Sequence, residues 1–164
     1  MNYRIEAMVA DDWPEVSAIY TEGIATGLAT FENSVPSWER WNEAYLDVGR
    51  LVARAEGKAI GWAALSPTSQ RKVYSGVIDE NIYIAASARG MGVGKTLLQA
   101  LIQKSEQEGI WSLQAGIFRE NKASLTLHLV CGFREIGYQE RKGCLNCVWH
   151  DVILMERRSK IAGL

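Results

Sequence analysis

Arg89-Gly90-Met91-Gly92-Val93-Gly94-Lys95-Thr96 joins two segments of different periodicity. Before it runs Ile82-Tyr83-Ile84-Ala85-Ala86, a short apolar run that reads as a strand. After it, Leu97, Leu98, Leu101 and Ile102 recur at helical spacing. A glycine-rich turn between strand and helix leaves backbone N–H groups bare at the helix N-terminus. Those amides and the positive end of the helix dipole together favour a phosphate. The unit therefore predicts an α/β chain with a phosphate-bearing ligand, and spacing decides which kind.

A Walker A loop needs Gly, four residues, then Gly-Lys-Ser/Thr. Gly94-Lys95-Thr96 supplies the end, but the first glycine position holds Arg89. The dinucleotide fingerprint G-x-G-x-x-G begins at Gly90 and Gly92 and fails at Lys95. A third pattern, Arg/Gln-x-x-Gly-x-Gly/Ala, is met in full by Arg89, Gly92 and Gly94. It resembles the pyrophosphate loop of the GCN5-related N-acetyltransferases. Downstream, Asn121-Lys122-Ala123-Ser124-Leu125-Thr126-Leu127-His128-Leu129-Val130-Cys131-Gly132-Phe133 is similar to that family's second signature, Asn-x-x-Ser/Ala-x-x-x-Tyr/His-x-x-x-Gly-Phe. Asn121 reads as a helix N-cap, Leu125, Leu129 and Val130 as its inward side, and Gly132 as its C-cap residue.

The rest of the chain alternates in the same way. Tyr3 to Val9 reads as a strand. Asp11 or Asp12 caps a helix with Pro14 in its first turn and Val16, Ile19, Tyr20 and Ile24 on one side. Ser37 caps a second helix bearing Trp38, Trp41, Tyr45 and Leu46. Residues 51–55 and 59–65 form a hairpin across Glu56-Gly57-Lys58. Val77 to Ala85 and Trp111 to Phe118 are strands on either side of the glycine-loop helix, which Gly109 ends. Strands near 133–140 and 148–155 follow, and the tail Arg157-Arg158-Ser159-Lys160 reads as solvated. With the resemblance, this implies one domain over 1–164, an α/β (α+β) fold with a central mixed, mostly antiparallel, splayed sheet and helices on both faces.

Composition agrees. A chain of 164 residues with 48% apolar and 23% charged residues can bury a core. A formal net charge of -1 argues against nucleic-acid binding. No apolar run approaches a membrane span, and Met1-Asn2-Tyr3-Arg4-Ile5-Glu6 does not read as a signal peptide, so the expectation is cytoplasmic and off the membrane. Cys144-Leu145-Asn146-Cys147 has C-x-x-C spacing but no second ligand pair, so the three cysteines are expected to be reduced thiols and no metal is expected.

The resemblance implies acetyl-CoA as cosubstrate. Strand residues Ile82, Tyr83 and Ile84 would then bind its pantetheine and acetyl end. Arg89, Gly90, Met91, Gly92, Val93, Gly94, Lys95 and Thr96 would hold the pyrophosphate. Asn121 and Ser124 would meet the pantetheine arm. Within the family the chain looks like the phosphinothricin and methionine sulfoximine acetyltransferases, from Thr30-Phe31-Glu32, Gly61-Trp62-Ala63, and Asn146 to Asp151. The run 113–118 with Tyr74-Ser75-Gly76 also resembles the arsinothricin-resistance branch. That subgroup acetylates the α-amine of small acidic amino-acid analogues and is commonly dimeric. Phe31, Glu32, Arg71, Lys72, Val73, Tyr74 and Ser75 are its substrate-side positions here, with Trp62 as a possible apolar wall.

Amine attack on a thioester needs a base, and the adjacent acids Asp79 and Glu80 are the candidates. The subgroup's Glu-x-Ser-Val-Tyr-Val places its catalytic acid on Asp79, a shorter side chain; a bulge would bring Glu80 into that role. Only one of two neighbours on a strand faces a given side. His128 stands where many members carry a tyrosine proposed to protonate the departing thiolate; it either does so or packs against CoA or the sheet. Other readings are a family member acting on a protein N-terminus or polyamine, and a non-catalytic acyl-CoA sensor.

Overall fold

The computed structural model describes residues 1–164. In chain order the elements are β1 (Arg4–Ala7), α1 (Trp13–Ala25), α2 (Trp38–Ala44), β2 (Leu51–Ala55), β3 (Lys58–Pro67), β4 (Val77–Ile84), α3 (Val93–Gln107), β5 (Ser112–Phe118), α4 (Lys122–Val130), β6 (Arg134–Leu145) and β7 (Val148–Arg158). The strands form one sheet in the order β1-β2-β3-β4-β5-β7-β6. Every pairing is antiparallel except β4 with β5.

Alternation along the strands sorts the core into two layers. Trp62, Ala64 and Tyr83 face α1 and α2 and pack with Val16, Ile19, Tyr20 and Trp41. Ala63, Leu65, Ile78, Leu113, Ala115 and Ile117 face the other way, against Leu97, Leu98 and Leu101 of α3 and Leu125 of α4. Helices therefore cover both faces.

The parallel pairing is short. It runs Val77↔Ser112, Ile78↔Leu113, Asp79↔Gln114 and stops. Beyond that point β4 stays paired to β3 as far as Ile84, and β5 to β7 as far as Phe118. The two strands thus diverge after Asp79, and the backbone groups of Ile82–Ile84 that face β5 have no ladder partner. Unpaired backbone groups need water or a ligand.

Several expectations are corrected. In α4 the buried side is Leu125 and His128, continuing to Cys131. Leu129 and Val130 are exposed at 52% and 58%. The inward stripe runs through a histidine that an apolar pattern passes over. Asp12 does not cap α1 with its side chain; it accepts from Val9 N and from the Arg54 guanidinium. The hairpin of β6 and β7 is longer than the pattern suggests, and its two-residue turn is Asn146-Cys147, both at positive φ. The C-terminal tail is solvated only in part: Arg158 and Lys160 are exposed, but Arg157 pairs with Glu106, Arg158 binds four backbone carbonyls, and Ser159 is buried. No helix is long and apolar enough to cross a membrane.

Candidate active site

The divergence of β4 from β5 opens a cleft of about 520 Å³. One wall is Ile82, Tyr83 and Ile84. A second is the start of α3, with Arg89, Gly90, Gly92, Gly94 and Lys95. A third is the start of α4, with Asn121, Ala123, Ser124 and Leu127, and Gly23, Thr26, Leu28 and Ala29 close the fourth. Most of the residues assigned to the cofactor thus share one cavity. The exceptions are Met91, which is exposed, Val93, which is fully buried in the core beneath the loop, and Thr96, whose hydroxyl bonds Tyr3.

The glycines of the loop serve different purposes. Gly90 and Gly92 sit at φ 74° and 80° with open space around them, so backbone conformation requires glycine there. Gly92 is the N-cap of α3. The first amides of that helix have no carbonyl behind them to bond, and Gly92, Gly94 and Lys95 line the cleft. Gly94 has ordinary φ, but a Cβ would come within 3.3 Å of Leu127 and 3.6 Å of Ile84. Its role is to keep the cleft open. Arg89 Nε donates to Ile84 O at 3.1 Å, tying the loop to the strand it follows. A cradle of unpaired amides at a helix N-terminus, flanked by Arg89 and Lys95, suits a pyrophosphate.

Asn121 works in two directions. Its Oδ1 accepts from Ser124 N at 3.1 Å, capping α4, and its Nδ2 donates to Leu28 O at 3.2 Å. The second bond fastens the α1–α2 loop over the cleft. Thr26, Leu28 and Ala29 are lining residues that no motif in the sequence marks. Leu127 was legible, since it lies one turn on from Ser124.

The two adjacent acids separate onto opposite faces. Glu80 points toward α4 and is buried; its Oε1 lies 2.6 Å from His128 Nε2. His128 Nδ1 is 2.7 Å from Ser124 O. A carbonyl only accepts, so Nδ1 carries a hydrogen, and a second proton lies between Nε2 and the carboxylate. Burial pulls the His128 pKa down, but the Glu80 charge and hydrogen bond outweigh it, and the value ends above the ordinary one. Phe133 meets the ring edge-on at 5.0 Å. His128 is 1% exposed and sits behind the cleft wall rather than on it. Asp79 lies on the α1/α2 side, at the last residue of the parallel pairing. Burial, then the Glu80 charge, raises its pKa to about 6.

The substrate-side residues do not converge on the same cavity. Phe31 is half-seated, packed on Phe118 at 4.5 Å and edge-on to His150 at 6.3 Å, above Gly143. Glu32 is exposed. Arg71, Lys72, Val73, Tyr74 and Ser75 form an exposed 3₁₀ turn before β4, with the Arg71 guanidinium 5.3 Å from the Tyr74 ring centre. Trp62 is corrected: it is fully buried, stacked on Tyr83 at 4.8 Å, and is core rather than pocket wall. The cysteines are free, Cys131 buried and Cys144 and Cys147 exposed. No cluster of three His, Cys, Asp or Glu side chains is placed to hold a metal.

The acetyltransferase (GNAT) family model matches residues 10–133, which spans the cleft from the start of α1 to the end of α4. The chain belongs to that family. It is an N-acetyltransferase by membership. It is 38% identical over 154 residues to a phosphinothricin N-acetyltransferase of Alcaligenes faecalis, covering 90% of this chain and 78% of the relative. It is 28% identical to an L-methionine sulfoximine/L-methionine sulfone acetyltransferase of Pseudomonas paraeruginosa, with 88% of each covered. Among solved structures it superposes on a phosphinothricin acetyltransferase from Sinorhizobium meliloti in complex with AcCoA. The TM-score is 0.89 at 29% identity, over 99% of this chain and 91% of the other.

Proposed function

We propose that this N-acetyltransferase moves the acetyl group of acetyl-CoA to the α-amine of a small acidic amino-acid analogue of the phosphinothricin, methionine sulfoximine or arsinothricin type. The acetyl-CoA-dependent GNAT reaction itself follows from the family; the acceptor is the proposal, and the names of the relatives support it. The observation that carries the reading is the end of the β4–β5 pairing at Asp79. It opens the cofactor cleft on one side and leaves a half-buried carboxylate with a pKa of about 6 on the other.

In this reading the Arg89–Lys95 loop holds the pyrophosphate, and the free backbone of Ile82–Ile84 orients the pantetheine arm. A β4 N–H faces the carbonyl oxygen as negative charge builds there. Asp79 is the base. At pH 7 a group of pKa about 6 is about nine-tenths ionised, yet far more basic than an ordinary aspartate. It takes the proton that the amine must lose, directly or through one water. A carboxylic acid of that pKa can in turn protonate a thiolate, because thiols titrate near ~8.5. His128 is therefore not required as the acid, and its pairing with Glu80 supports a role in fixing α4 to β4. Arg71 and Tyr74 supply a cation and a hydroxyl for the acceptor's acidic groups. The proposed assembly is a homodimer, as in the subgroup the chain resembles, and no step of the reaction depends on it.

The test is thiol release from acetyl-CoA with each of the three acceptors, in wild type and Asp79→Asn. Turnover with at least one acceptor, lost in the variant, is expected. Acetyl-CoA binding without turnover on any of them would sink the acceptor assignment.

A further inference from the structure

The turn that carries Arg71 and Tyr74 is rigid in itself. Tyr74 N donates to Arg71 O at 2.9 Å, Ser75 N to Lys72 O at 3.1 Å, and Arg71 N to Ser69 Oγ at 3.1 Å. All five residues from Arg71 to Ser75 are exposed, whereas the next, Gly76, is buried. The C-terminal end of the turn is therefore set where it enters the body of the protein, at Gly76, as its start is set by Thr68 Oγ1 donating to Val77 O at 2.8 Å.

Gly76 is held against Trp111. Its carbonyl accepts from both Trp111 N and Ser112 N, each at 3.0 Å. Its φ is ordinary, but a Cβ would lie 2.1 Å from Trp111 Cε3. The glycine is required for space and not for conformation. The far side of Trp111 is closed by the C-terminal tail. Trp111 O accepts from Ser159 N at 2.8 Å and from Arg158 Nη1 at 3.1 Å. Gly163 packs so closely that a Cβ there would lie 2.5 Å from Trp111 Cβ. Arg158 locks this arrangement with bonds to Ala162 O at 2.9 Å and Gly163 O at 2.5 Å.

We propose that Gly76 and Trp111 are positioning residues for the acceptor, and that the tail from Ser159 to Gly163 is the buttress behind them. This rests on the reading of Arg71–Ser75 as the acceptor-binding turn. The indole is a wedge with its back supported, so anything that thickens residue 76 moves the turn instead of the ring. Relieving a 2.1 Å approach requires a shift of about 1 Å, and misplacement on that scale costs up to about a hundredfold when it reaches a substrate contact. The cofactor cleft, walled by α3, α4 and the far end of β4, is not part of this linkage.

The experiment compares wild type, Gly76→Ala, Gly76→Ala with Trp111→Leu, and Ile161→Ala, a change at a tail side chain that is 72% exposed. Acceptor KM and kcat are measured by thiol release, and acetyl-CoA affinity by calorimetry. Gly76→Ala is expected to raise acceptor KM by about tenfold or more, with acetyl-CoA Kd within about twofold of wild type. The double variant removes the six-membered ring that the new methyl meets and brings KM back to within about threefold. Ile161→Ala matches wild type. Unchanged acceptor KM in Gly76→Ala, an equal loss of acetyl-CoA affinity, or no recovery in the double variant overturns the inference. If wild type acetylates none of the three acceptors, the acceptor reading falls first and takes this inference with it.

Discussion

Replacing Glu80 tests whether its pairing with His128 is a structural pin, and the two natural replacements should differ in a way that the geometry fixes. Both side chains are 2% exposed, and Glu80 Oε2 is buried without a partner. In Glu80→Ala the histidine keeps its bond to Ser124 O but loses its counter-charge in a dry site. Removing one partner of such a buried pair costs about 3–5 kcal/mol. In Glu80→Gln the imidazole becomes neutral with its hydrogen on Nδ1, where Ser124 O already accepts. Nε2 is then free to accept from the new amide. The geometry survives, and the loss is the difference between a charge-assisted and a neutral hydrogen bond, about 1 kcal/mol.

The pH dependence follows from the direction of the His128 shift. Its folded pKa is raised above the unfolded value of about 6.5. The stabilisation that comes from binding that proton is fully present below the unfolded pKa and is lost as pH rises through the folded one. Glu80→Gln removes the carboxylate that raises it, so the gap between wild type and Glu80→Gln should be widest below about pH 6.5 and shrink as pH rises through the folded His128 pKa. Urea unfolding at several pH values, with m held common, measures this directly. A cost for Glu80→Ala under about 1 kcal/mol, or a wild-type–Gln gap that does not change with pH, would refute the pin.

Asp79→Asn should lower kcat/KM by about 10²–10⁴-fold, and wild type should show an acid limb near pH 6, rising as the carboxylate ionises, that the variant lacks. Gly92→Val should abolish tight acetyl-CoA binding, because a β-branched residue at φ 80° distorts the first turn of α3; unchanged affinity by calorimetry would contradict the cradle. Asn121→Ala should cost about 1 kcal/mol in thermal or urea unfolding through the lost cap, and should raise hydrogen exchange in 26–31 by freeing Leu28 O.

The fold was legible where backbone chemistry and periodicity coincide. Gly92 to Ile102 announces a helix behind a phosphate loop, and Asn121 to Gly132 supplies both caps of α4 within one segment. What stayed hidden depends on contacts distant in sequence. Trp62 and Phe31 have the same apolar character in a pattern, yet one is core and the other half-exposed, because α1 and α2 cover β3 and nothing comparable covers Phe31. Arg157 and Arg158 look like a charged end until Glu106 and Trp111 are brought beside them. The pairing of His128 with Glu80 is hidden in the sequence because the two lie 48 positions apart, on α4 and β4.

The Asp79–Glu80 pair shows how far alternation alone can carry an argument. Adjacent residues on a strand must face opposite layers, so the sequence already required the two acids to have different surroundings. It could not say which surroundings went with which acid. That depends on the register of β4 in the sheet and on where β4 leaves β5. Had the parallel pairing run further, the backbone of Ile82–Ile84 would be spent on β5 and no cleft would exist. Because it stops at Asp79, the first carboxylate sits at the fork, half-buried and raised to about 6, while the second turns into the α4 layer and meets a histidine. One residue of register would exchange these environments. The difference in the acids' surroundings is therefore a property of the sheet's branch point and of the pleat of β4, and substitutions that move that branch should alter the Asp79 acid limb without touching Asp79 itself.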